Sequence, residues 1–165
     1  MKKILLITGP GGAGKTTVAE ILQKTYGYCM LDGDQEDTEF FPKGGQWLPE
    51  NSQLLALAHQ KIIQKVKKLA EDNKKIVVDY IIFGNYADFM ESFRKEFRKD
   101  FKVKVLFPSE EVTIQRDAER ECWTTGSKRI KQVRKEFLKN KDVFGHHNFI
   151  DTSTQTPEET AKQIA

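Results

Sequence analysis

Gly9-Pro10-Gly11-Gly12-Ala13-Gly14-Lys15-Thr16 follows directly on the aliphatic run Ile4 to Thr8 and leads into apolar residues at helical spacing. That order predicts a buried strand, a tight turn and a helix, because only glycine tolerates the left-handed backbone of such a turn. The octapeptide matches G-x-x-x-x-G-K-[ST] at every defined position. In this pattern the backbone of residues 11–17 (Gly11, Gly12, Ala13, Gly14, Lys15, Thr16 and Thr17) curls its N–H groups around a phosphate, at the positive end of a helix. Lys15 neutralises β- and γ-phosphate charge, and the Thr16 hydroxyl ligates Mg2+. ATP and Mg2+ are the expected cofactors.

The remaining chain alternates strand and helix signals. Residues 28–31, 75–83, 101–107 and 149–150 read as strands. Residues 16–26, 49–72, 86–99, 110 to beyond 120, and 129–140 read as helices, with a last helix opened by the capping box Thr156-Pro157-Glu158-Glu159. Residues 33–50 read as a long irregular segment. Alternation of this kind predicts an α/β fold with a parallel sheet covered on both faces. At 165 residues the chain is expected to be one domain.

Composition closes several other routes. The net charge of +3 is too small to suggest a nucleic-acid partner. No apolar run is long enough for a membrane span. Cys29 and Cys122 lack CxxC or Cys/His metal spacing, which points to reduced thiols in the cytoplasm. The apolar face of residues 86–97 suits core packing or a dimer equally, so a monomer or a homodimer is expected.

Around the cradle, Asp79 ends the third strand after Ile76-Val77-Val78, a position suited to holding Mg2+. Tyr80 follows it where ATP-hydrolysing motors carry glutamate, which favours transfer to an acceptor over hydrolysis. Asp32-Gly33-Asp34 ends the second strand. If the backbone stays extended the two carboxylates project alike, so that one can orient Mg2+ through water while the other accepts a proton from an acceptor hydroxyl. Asp32 is expected to order Mg2+ waters, and Asp34 to be the base or the hydroxyl-orienting group. Residues 32–50 carry six acids and no arginine, so a neutral or cationic small-molecule acceptor is expected, packed against Phe40, Phe41 or Trp47. Arg116 and Arg120, four apart on one helix face, are placed to close over the transferring phosphate. Together with Lys128 and Arg129 they surround a second segment that reads as irregular, residues 122–128.

With these residues in place, the chain resembles small P-loop kinases of the nucleoside monophosphate kinase-like fold, in the group of shikimate kinases, gluconate kinases and chloramphenicol phosphotransferases. Leu31-Asp32-Gly33-Asp34 is similar to the segment after strand two in gluconate and adenylylsulfate kinases. The D-x-D pair of shikimate kinases implies magnesium and acceptor-hydroxyl roles for Asp32 and Asp34. The resemblance implies a three-layer fold with a five-stranded parallel sheet in the order 2-3-1-4-5. It also implies an acceptor segment at about 33–60, a short lid at about 121–130, and Thr152 near the adenine. Rival readings are a nucleotide or polynucleotide 5′-kinase, and a nucleotide-binding switch without an acceptor.

Overall fold

The structure, a computed structural model, describes residues 1–121 and 124–165. Five parallel strands, β1 (Lys3–Thr8), β2 (Cys29–Asp32), β3 (Lys75–Asp79), β4 (Phe101–Leu106) and β5 (Phe149–Ile150), form one sheet in the order β2-β3-β1-β4-β5. The expected order and α/β class are the observed ones. The two faces of β1 explain its unbroken apolar run. Ile4 and Leu6 join one core cluster, and Leu5 and Ile7 join the other.

One face of the sheet is covered by α1 (Lys15–Tyr26) and α8 (Pro157–Ile164), whose Val18, Ala19, Leu22, Ala161 and Ile164 pack on Leu5, Ile7 and Val77. The other face is covered by α3 (Ser52–Asp72), α4 (Tyr86–Phe97) and α6 (Ser127–Lys139). Their Ile62, Val66, Phe89, Phe93, Val133 and Phe137 meet Leu6, Val78 and Val103. Thr156 and Glu159 form the capping box of α8 in full.

Several elements depart from the sequence reading. Residues 33–50 are not irregular throughout. Asp32 accepts hydrogen bonds from the backbone N–H of Asp34 and Gln35, and so starts the five-residue helix α2 (Gly33–Asp37). Asp32 is extended as the N-cap, but Gly33 and Asp34 are helical, so the extended backbone expected through Asp34 is not the observed one. β3 stops at Asp79: Tyr80 N–H makes a last bond to β1, at Ile7 O, and the chain then leaves the sheet. Helix α5 (Glu110–Ala118) ends before Arg120, where Arg120 N–H turns back to Asp117 O. A four-residue helix, α7 (Lys141–Phe144), has no counterpart in the sequence reading. The expected lid at 121–130 includes Cys122 and Trp123, which lie outside the described residues. Cys29 carries a free, half-buried thiol. Among the described residues no helix is long and apolar enough to cross a membrane.

Candidate active site

The loop between β1 and α1 carries three glycines with positive φ: Gly9 at 141°, Gly12 at 82° and Gly14 at 89°. Space is also limiting at Gly12, where a Cβ would come within 2.6 Å of Thr113 O. Lys15, only 4% exposed, folds back over this loop and donates to Pro10 O at 3.0 Å. Burial lowers its pKa, while the charges of Asp79 and Asp34 act in the opposite direction. These two carboxylates are thus the near countercharges of the cradle lysine.

Register brings the acids together. Asp32 and Asp79 are paired neighbours at the ends of β2 and β3. Thr16 Oγ1 donates to Asp79 Oδ2 at 2.6 Å, and the buried Asp79 Oδ1 has no hydrogen-bond partner. A hydroxyl and a buried carboxylate with an unused oxygen suit a hard cation that takes oxygen ligands. Among the described residues no three His, Cys, Asp or Glu side chains form a metal cage. An ion here would lean on phosphate oxygens and water, as Mg2+ does. Asp34 is partly buried and accepts from Ile81 N–H at 3.2 Å. Burial pushes its pKa up to about 7, against the pull of Lys15.

Beyond the cradle a cleft of about 460 Å³ runs past Arg116, Arg120, Thr152 and Gln155 to Pro157 and Thr160. Arg116 Nη2 donates to Thr152 O at 2.9 Å, so this arginine is fixed on the side of the cleft formed by the loop after β5. Arg120 stands nearer the chemistry: its charge bears on Lys15 and Asp79, and it pairs with Asp117 at 3.7 Å. Asp117 also accepts from the N–H groups of Thr125 and Gly126, at 2.8 and 3.0 Å. Those bonds draw the 124–126 segment over the cradle, where a Cβ on Gly11 would lie 2.4 Å from Thr125 Oγ1.

The three aromatic candidates, Phe40, Phe41 and Trp47, separate. Phe40 packs with Phe41, Leu55 and Ala58, with the Lys61 ammonium 5.8 Å from its ring centre. Trp47 remains 45% exposed and meets Phe83 edge to face at 5.9 Å. The Arg129 guanidinium, delivered by α6, lies 4.2 Å from the Trp47 ring and 5.6 Å from Phe83.

The acids of residues 32–50 are largely engaged elsewhere. Glu36 and Glu39 pair with Lys61 and Lys65, Asp37 is bound by Tyr80 and Gln46, and Asp32 caps α2. The sequence reading missed Phe83, Asp117, Thr125 and the bonded group His59, Tyr80 and Asp37. A histidine inside the apolar stripe Leu55-Ala58-Ile62 was the one available signal for that group.

Comparison with known proteins places the chain in a family. The family described as AAA domain matches residues 4–144. The chain is 31% identical over 122 residues to the "Probable adenylyl-sulfate kinase" of Archaeoglobus fulgidus, covering 71% of this chain and 74% of that protein. It is 34% identical over 116 residues to the protein of the same name in Pyrococcus abyssi, covering 67% of this chain and 63% of that one. The shikimate kinase of Acinetobacter baumannii in complex with shikimate superposes with a TM-score of 0.66 at 19% identity, over 99% of this chain and 91% of that one. The tunicamycin resistance protein of Deinococcus radiodurans superposes at 0.70 and 18%, over 100% and 94%. These two superpositions speak for the fold alone. The chain belongs to the AAA domain family, as a P-loop kinase.

Proposed function

We propose that this kinase moves the γ-phosphoryl group of ATP to a hydroxyl of a small acceptor lodged between Asp34 and the Trp47–Phe83–Arg129 group. The observation that carries the reading is the place of Asp34: a carboxylate that accepts from Ile81 N–H just beyond β3 and serves Lys15 as a countercharge. Phosphoryl transfer asks a protein chiefly for positioning and charge stabilisation. Lys15 and the 11–17 backbone hold the phosphates, Arg120 faces the transferring charge, and Asp34 orients the acceptor hydroxyl and takes its proton. Arg116 and Thr152 border the nucleoside end of the cleft. Thr16, Asp79 and Asp32 would hold Mg2+ and its waters. When bound, the ion neutralises charge on the β- and γ-phosphate oxygens.

The expectation of a neutral or cationic acceptor rested on a segment of six acids without arginine. Four of those acids are engaged in internal contacts, and Arg129 brings a cation to Trp47 from outside the segment. The acceptor pool therefore extends to compounds with an anionic or planar group, and adenylyl sulfate is included because both curated relatives bear the name adenylyl-sulfate kinase. In this reading residues 1–165 act as one cytoplasmic kinase domain, with the acceptor segment at about 33–60 and the lid at about 121–130. No nucleic acid is involved.

The test is transfer of label from γ-labelled ATP to a mixed pool of hydroxy acids, aminoglycosides, sugars, nucleosides and adenylyl sulfate. A labelled product that requires both Mg2+ and one class of acceptor supports the reading. Tight ATP binding with no labelled product from any class would move the chain to the switch alternative.

A further inference from the structure

Beneath the acceptor side lies a buried hydrogen-bonded chain that the mechanism above does not use. His59, Tyr80 and Asp37 are 4%, 0% and 1% exposed. Tyr80 Oη donates to Asp37 Oδ2 at 3.0 Å, and Gln46 Nε2 donates to Asp37 Oδ1 at 3.3 Å. A phenol has one hydrogen, so with that hydrogen on Asp37 its lone pair accepts from His59 Nε2, 3.2 Å away. His59 is then neutral with its proton on Nε2. Its ring is fixed by stacking on Phe89, centroid to centroid 4.0 Å.

The chain ends on α2, a helix of five residues and far too short to hold itself. Asp34 and Asp37 are three apart and so share a face of that helix. The two grip consecutive residues beyond β3, Asp37 through the Tyr80 hydroxyl and Asp34 through Ile81 N–H. Tyr80 also lies directly under the start of α2, where a Cβ on Gly33 would come within 2.7 Å of Tyr80 Cβ. On the outer side α2 has the Glu36–Lys61 and Glu36–Lys65 pairs. The Lys61 and Lys65 side chains are 23% and 47% exposed, and pairs open to solvent on one side are weakened by salt. Among the described residues the Tyr80 bond is the one tether of α2 that is both side-chain specific and buried.

We propose that Tyr80, oriented by His59, is a positioning residue: it holds α2 through Asp37 so that the Asp34 carboxylate stays aimed at the acceptor side of the cradle. The proposal rests on the reading of Asp34 as the acceptor-side carboxylate. Its test therefore includes a measurement that needs no acceptor.

Tyr80→Phe, Asp37→Leu and the conservative His59→Gln are compared with Lys65→Ala, which removes only an exposed tether. Amide hydrogen exchange on the free protein reads the Asp34–Ile81 bond. Protection of the Ile81 amide should fall at least about tenfold in Tyr80→Phe and Asp37→Leu. In His59→Gln, which keeps a donor for the phenol, and in Lys65→Ala, it should stay near wild type. Fluorescent ATP-analogue affinity should be unchanged in all four. With an acceptor that the wild type phosphorylates, kcat should fall roughly 10–100-fold in Tyr80→Phe at constant KM for ATP.

Unchanged Ile81 protection in both folded Tyr80→Phe and Asp37→Leu would overturn the proposal. So would equal kcat loss in Lys65→Ala and Tyr80→Phe. Absence of any acceptor-dependent turnover in the wild type is a failure of the kinase reading instead, and the exchange measurement still decides whether Tyr80 holds α2.

Discussion

Thr16 Oγ1 donates to Asp79 Oδ2 across 2.6 Å, joining the first turn of α1 to the last residue of β3. The bond ties the phosphate loop to the sheet end and leaves Asp79 Oδ1 buried and unpartnered. Both side chains belong to the Mg2+ account. Thr16→Ala and Asp79→Asn should therefore raise the Mg2+ concentration for half-maximal turnover by on the order of 10–100-fold. Mg2+ titration of ADP production checks this, and an unchanged requirement in both variants would remove these residues from the ion site.

Asp34 gives the reaction a pH limb. Its carboxyl is held up to about 7 by burial, so it is the protonated, inactive form that accumulates below that point. Turnover at low acceptor concentration should fall about tenfold per pH unit below 7 and level off above. Asp34→Asn should lose about 10²–10³-fold in rate and flatten the profile. Stability moves the other way. An acid whose folded pKa lies above its unfolded value costs stability when it ionises, between about pH 4 and 7. At pH 8 the free Asp34→Asn protein should melt above wild type, as thermal unfolding would report.

His59 sets the opposite slope. Burial depresses its pKa to about 3, so below the unfolded value of about 6.5 the unfolded chain takes up a proton that the folded protein refuses. Wild type should lose up to about 1.4 kcal/mol of stability per pH unit from this group between pH 6.5 and 3. His59→Gln should lose less over the same range. Urea unfolding at pH 7 and pH 4.5 for both proteins measures the difference, and parallel losses would contradict the neutral buried histidine.

Two adjacent glycines should separate lid contact from fold. A methyl at Gly11 meets the movable end of Thr125, and the backbone there needs no positive φ. Gly11→Ala should fold normally and lose about tenfold in turnover by displacing the 124–126 segment. At Gly12, φ is 82° and the methyl meets backbone Thr113 O at 2.6 Å. Gly12→Ala should cost about 1–3 kcal/mol of stability as well as activity. Calorimetry beside kinetics on the two variants distinguishes them.

Much of this was legible in the chain itself. The cradle follows from spacing alone, and the strand order follows from the resemblance that the cradle and Asp32-Gly33-Asp34 carry. What escaped has a common physical cause: side chains that meet only through tertiary folding. The absence of arginine from residues 32–50 was true of the sequence, yet Arg129 reaches Trp47 from α6. The count of acids there was also true, but Glu36, Glu39 and Asp37 are bound within the fold. Asp32 escaped for a local reason. Its capping bonds to Asp34 and Gln35 start a helix at Gly33, where the paired-carboxylate reading needed the backbone to stay extended.

Magnesium-dependent ADP release from ATP, with and without the acceptor pool, tests the kinase account most directly when wild type, Lys15→Ala and Asp34→Asn run side by side. The account predicts release in wild type that rises only with an acceptor. It also predicts a deeper loss in Lys15→Ala, by about 10³-fold or more, than in Asp34→Asn. Near-normal turnover of Lys15→Ala under saturating nucleotide, or release indifferent to every acceptor, would contradict it.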